Sequence, residues 1–204
     1  MRKHGMKVAV GALLLALFLF ARTQFSGPLA TQAPAAVEDG ISVYFSPRGG
    51  CEAAIVQQIG RATRTIDVQA YSFTSQGIAR ALADAQARGV RVRAVLDKTA
   101  AGEHYSGATY LMNHGIATYV DGQHPIAHNK IIIIDAQTVI TGSFNFTKQA
   151  EEQNAENLLV IEGKPAISAA YVSNFEEHLG HSQRYTGIPG RSAPAWEDAG
   201  PDHG

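Results

Sequence analysis

Apolar and polar positions fall into blocks along the chain, and the period changes from block to block. Residues 41–45 (ISVYF) form a short β-prone run that stops at Ser46-Pro47-Arg48-Gly49-Gly50. From 51 to 63, Ala54, Ile55, Ile59 and Ala62 fall on one stripe at helical spacing, which predicts a helix. A strand is predicted over 65–73 (TIDVQAYSF), and Ser75 suits the N-cap of a helix over 76–88 that Gly89 stops. Val and Arg alternate over 90–96, as expected of a strand with one wetter face. A short helix near 105–114, closed by Gly115, leads to a strand at 116–120, and Pro165 opens a last helix over 165–180. Strands alternating with helices at these lengths predict an α/β layered sheet with helices packed on it.

The ends differ from this middle. A charged start, Arg2, Lys3 and Lys7, precedes an apolar run over 8–21. As a helix that run would rise only about 21 Å, short of the ~30 Å hydrocarbon core, so it suits a signal-peptide core better than a membrane span. Residues 1–36 are therefore expected to be a signal peptide or hydrophobic segment plus linker, 37–181 a single catalytic domain, and 182–204 a flexible tail. The protein is expected to be exported, periplasmic or secreted, or membrane-anchored if the first segment is retained.

Composition narrows the function classes. With 45% hydrophobic and 17% charged residues, the chain is neither disordered nor a coiled coil. A net charge of −1 excludes a polycationic nucleic-acid coat but leaves room for one local phosphate site. The single cysteine, Cys51, allows no internal disulfide and no Cys-based zinc site. It reads as a buried packing residue.

The chemistry concentrates in 127–161. Four consecutive isoleucines, 131–134, mark a strand buried on both faces, and His128 and Lys130 precede it two apart, on one side. Residues 139–145 return as a second strand. An even loop at 135–138 sets Lys130 opposite Ser143 and His128 opposite Asn145, with facing Cβ atoms about 4.5–5.5 Å apart; an odd loop shifts that register. A lysine beside four isoleucines is costly unless something anionic meets it. Lys130, Ser143 and Asn145 can together hold phosphate oxygens, and His128 can act as nucleophile or proton donor near neutrality. Gly142 permits close backbone approach. Asp135 has the opposite strand parity and reads as structural, closing the turn or pairing in the core.

The string His128-x-Lys130, Asp135, Gly142-Ser143-x-Asn145 resembles the HKD motif of the phospholipase D superfamily, supported by YFSP at 44–47, VQAYSFTS at 68–75 and NAENLLVI at 154–161. It is most similar to the small exported bacterial nucleases with one HKD motif. The resemblance implies a layered mixed β-sheet flanked by helices on both faces, and a metal-independent phosphodiesterase that works through a covalent phosphohistidine without a cofactor. It implies His128 as nucleophile or general acid, Lys130, Ser143 and Asn145 as phosphate holders, and Glu156 as the acid that orients the histidine. One histidine cannot both attack phosphorus and protonate the leaving group in line, and the chain carries one motif and no repeat. The expectation is a homodimer with two copies of His128 at one shared site.

Other candidates read more plainly. His124 is expected to be a loop residue rather than a metal partner of His128, because Pro125 breaks the helical spacing. His104, His114, His178 and His181 read as surface or packing residues, and no metal site is expected. Gly142-Ser143 lacks the glycine frame of a serine-hydrolase elbow. Arg91 and Arg93 fit either a phosphate groove or a solvated face, and Tyr71 and Phe73 either the site or the core. Nucleic acid is the expected substrate, phospholipid head groups the alternative. A non-catalytic nucleic-acid or lipid-binding protein is disfavoured by the intact motif.

Overall fold

The computed structural model describes residues 33–101 and 107–187. The apolar run over 8–21, His104 and the chain beyond 187 lie outside them. Nine strands form one sheet: β1 (Ala36–Glu38), β2 (Ile41–Ser46), β3 (Thr65–Ala70), β4 (Arg91–Asp97), β5 (Ala117–Asp121), β6 (Lys130–Ile134), β7 (Thr138–Gly142), β8 (Glu156–Glu162) and β9 (Gln183–Arg184). The helices are α1 (Cys51–Arg61), α2 (Gln76–Ala87), α3 (Gly107–Asn113), α4 (Lys148–Glu152) and α5 (Pro165–His181). The strand order is β1-β2-β8-β7-β6-β3-β4-β5-β9. Strands β3, β4 and β5 run parallel, joined by crossovers through α2 and α3, and every other pairing is antiparallel. The sheet is mixed and has helices on both faces, as the motif's resemblance implies.

Strand β6 shows why four isoleucines stand in a row. Ile132 and Ile134 point into the larger core with α1 and α2, while Ile131 and Ile133 meet Phe175 of α5 on the other face. All four are nearly inaccessible, each worth roughly 1.5–3 kcal/mol of burial. Ser75 caps α2 as its position suggests, its Oγ accepting the Ile78 amide at 3.1 Å.

Two expectations need correcting. The β6–β7 hairpin pairs Ile134 with Thr138 and Ile131 with Thr141, so three residues, 135–137, form the loop. That odd loop moves the register by one: continuing the ladder sets Lys130 opposite Gly142, not Ser143. Asp135 and Ala136 supply the tight reversal in left-handed conformation, with φ of 54° and 55°. Order also runs past 181, the expected end of the domain. Strand β9 pairs with β5, and Tyr185 is buried with its hydroxyl 2.8 Å from the Thr109 hydroxyl.

Candidate active site

The site lies where β3 and β4 end and β6 begins, at the carboxyl ends of the parallel strands. Lys130 is the first residue of β6 and pairs with Ala70, the last of β3. It is 7% exposed, and its Nζ donates to the His128 carbonyl at 3.0 Å and lies 5.2 Å from the Tyr71 ring centre. Burial pulls its pKa down, and the nearby Glu156 carboxylate pulls it back up. An ammonium has three donors, and among the described residues one is used, which leaves two for an anion.

His128 is exposed, its ring tilted against Tyr71 with centroids 4.6 Å apart. Its position is set from behind. Asp97, buried at the end of β4, accepts the Ala127 amide at 2.7 Å and the Thr99 amide and hydroxyl at 2.9 and 2.8 Å. Burial alone would raise the Asp97 pKa, but these hydrogen bonds outweigh it and hold the carboxyl below its ordinary range. The residue just before His128 is thereby tied to the sheet, a role sequence spacing did not reveal because Asp97 and Ala127 meet only through the fold.

Beyond β7, Gly142 has φ 151°, and a Cβ there would run into the Asn157 carbonyl of β8. The Ser143 and Phe144 amides both donate to that carbonyl, which turns the chain off the ladder. Ser143 Oγ donates to Glu156 Oε2 at 2.6 Å and accepts from the Asn157 amide at 3.1 Å. The other oxygen of Glu156 accepts Asn154 Nδ2 at 3.0 Å. Glu156 therefore sits with Ser143 and near Lys130, and within one chain it makes no hydrogen bond to His128. Asn145 is held between Phe144 and Phe146, both fully buried, and its Oδ1 is buried without a partner among the described residues. A buried amide oxygen left unmatched is costly unless something outside the chain meets it.

Asp135 is at the far end of β6 from His128. Its carboxylate accepts the amides of Thr63, Arg64 and Thr65 at 3.0, 2.7 and 2.9 Å and the Thr63 hydroxyl at 2.8 Å. Burial opposes its charge, but these donors prevail and lower its pKa. Arg93 does not line a phosphate groove. It is paired with Asp67 and Glu176, each at 2.7 Å, under α5. Arg91 is exposed at the opposite end of β4 from the site. The two aromatic candidates part company: Tyr71 borders His128, while Phe73 packs edge-on against Phe146 in the core. Cys51 is fully buried, and burial pushes its thiol up to about 12.

The histidines expected at the surface include three that are not dispersed. His124, His178 and His181 all converge on Asp121, whose side chain is fully buried. Each segment shows its own three-residue spacing, Asp121 to His124 and His178 to His181, but their meeting depends on α5 packing beside β5.

The chain and its fold have counterparts among known proteins. Residues 55–179 match the family described as cardiolipin synthase, PLD-like domain. The chain belongs to the phospholipase D superfamily. Among its relatives, phospholipase D of Rickettsia prowazekii is 43% identical over 66% of this chain and 65% of its own length. The match thus spans just under two thirds of that relative. The mitochondrial cardiolipin hydrolase of Xenopus tropicalis is 34% identical over 57% of this chain and 55% of its own. Among solved structures, Nuc from Salmonella typhimurium, a phospholipase D family member, superposes with a TM-score of 0.69 at 37% identity. That superposition covers 71% of this chain and 97% of Nuc.

Proposed function

We propose that the protein is a phosphodiesterase that cleaves nucleic-acid backbones through His128, without a metal ion in the chemical step. The observation that carries this reading is the pairing of an exposed imidazole with a buried lysine that keeps two unused donors. Glu156 lies close enough to favour that buried charge and the Tyr71 ring faces it, but among the described residues no carboxylate pairs with it directly. Nearby, the Glu156 carboxylate is already engaged by Ser143 and Asn154, and Lys130 opposes a second cation, so these residues suit an anion better than a metal.

In the proposed reaction His128 Nε2 attacks phosphorus, an N–P bond forms, and the P–O bond to the leaving alkoxide breaks. The partner's His128 donates the proton that the alkoxide takes. A water then gives its proton to that imidazole and attacks phosphorus, breaking the N–P bond and restoring both rings. Lys130 and the amide of Asn145 hold the non-bridging oxygens, and Ser143 joins them as its link to Glu156 loosens.

This reading requires a homodimer, because each chain brings one such histidine. Phe45, 55% exposed, supports an interface close to the site: it pairs with Asn157 in the β2–β8 ladder, next to Ser46 and Glu156. Export, which the charged start and apolar run over 8–21 favour, would put the enzyme outside the cytoplasm.

A second reading, phospholipase D action on lipid head groups, is favoured by the names of the Rickettsia and Xenopus relatives. The open setting of His128 favours a polymer. Plasmid DNA, RNA and phosphatidylcholine vesicles incubated with the purified protein in EDTA separate the two. Nucleic-acid cleavage with intact vesicles is expected, at a temperature where the chelated protein stays folded by circular dichroism. Head-group release alone would establish the lipid reading, and activity lost in EDTA while the fold persists would refute the metal-free step.

A further inference from the structure

Asp121 ends β5, and the chain after it forms the loop that delivers His128 to the site. Its Oδ2 lies 2.9 Å from His124 Nδ1, 2.8 Å from His178 Nδ1 and 3.3 Å from His181 Nε2. The four ligand atoms all fall within 4.8 Å of one another. Zinc bonds of about 2.0–2.1 Å to nitrogen and oxygen set tetrahedral ligand atoms ~3.3 Å apart, so the His181 separation already suits one ion, while the two shorter contacts need to open by about 0.5 Å and the wider ones to contract.

The surroundings also suit a bound cation. The Gln123 and His124 amides donate to Asp121 Oδ1, at 2.9 and 3.4 Å, which turns Oδ2 towards the imidazoles. The His124 carbonyl accepts Lys98 Nζ at 3.2 Å, and the His178 carbonyl accepts Ser182 Oγ at 2.7 Å, so both residues are fixed from outside the cluster. His178 and His181 are mostly covered, with 12% and 19% of their side chains exposed, whereas His124, at 42%, leaves a way in. Without an ion, three imidazoles crowd one carboxylate oxygen, their ring centroids 4.9–5.3 Å apart.

We infer that Asp121, His124, His178 and His181 form a closed site for one zinc-class transition-metal ion, which clamps the 122–127 loop to the end of α5. Imidazole and a single carboxylate select such an ion over magnesium or calcium, which prefer oxygen shells. Four protein ligands leave no open position, so the ion is structural and takes no part at phosphorus. It fixes the far end of the loop whose near end Asp97 ties at Ala127. The inference stands independently of the substrate.

The test uses the untagged full-length protein, stripped with EDTA, dialysed, and titrated separately with Zn2+, Co2+ and Mg2+. One Zn2+ per chain is expected by calorimetry, Co2+ should give the visible absorption of a four-coordinate ion, and Mg2+ should not bind. At Zn2+ a hundredfold above Kd, Tm should rise by about 5–10 °C, and amide exchange over 122–127 should slow. His178→Ala and the half-exposed His124→Gln should each weaken Zn2+ binding more than about tenfold, while His114→Ala should leave it unchanged. Substoichiometric Zn2+, a preference for Mg2+, or Zn2+ retained by the His124→Gln/His178→Ala double variant would overturn the site. Stoichiometric binding with unchanged exchange over 122–127 would overturn the clamp.

Discussion

Asp135 shows how a residue within a catalytic motif can serve the frame. Its four hydrogen bonds fasten the β6–β7 turn to the start of β3, remote from His128. Because its pKa is lowered on folding, the stability it adds is present above the ordinary carboxylate value of about 4 and is lost as pH falls through the folded value. Asp135→Asn should therefore cost about 1–3 kcal/mol in urea denaturation at pH 7, with the gap to wild type closing in acid. An unchanged gap at low pH would mean that charge is not what these donors read. At this scale the sequence was informative about type and spacing: His128, Lys130, Ser143 and Asn145 stand out as polar groups set against the isoleucine run and its return. It could not show which partners Glu156 takes, nor that His178 and His181 meet Asp121, because those contacts join segments far apart in the chain.

Among the elements, the β6–β7 hairpin is the most instructive. Its existence follows from the isoleucine run and the apolar return, but its register depends on loop length, which composition leaves open. Asp tolerates left-handed backbone better than most residues, and Ala136 adopts it beside Asp135 with no such excuse. Ala136→Gly should therefore raise stability by about 0.5–1 kcal/mol, read as a higher urea midpoint at unchanged slope. A lower midpoint would show that the turn gains more from alanine's restricted unfolded chain than it loses to its conformation. The helices were more legible, since stripes such as that of α1 and caps such as Ser75 are local. The last turn of the domain was not, because Gln183 and Arg184 carry no apolar pattern and become a strand only by pairing with β5.

In the molecule as a whole, His128 stands exposed at the carboxyl end of the parallel strands of a mixed sheet, with a buried lysine behind it and an exposed phenylalanine nearby. Under the proposed mechanism, an attacking and a protonating group together call for a second copy of the chain. The decisive measurement denatures wild-type and His128→Ala proteins together in equal amounts, refolds them, and compares phosphodiesterase activity with the same total of wild type. If each working centre draws one imidazole from each chain, mixed dimers are inactive and about one quarter of the activity remains. Retention of about one half would mean that every chain works alone, which contradicts the shared site.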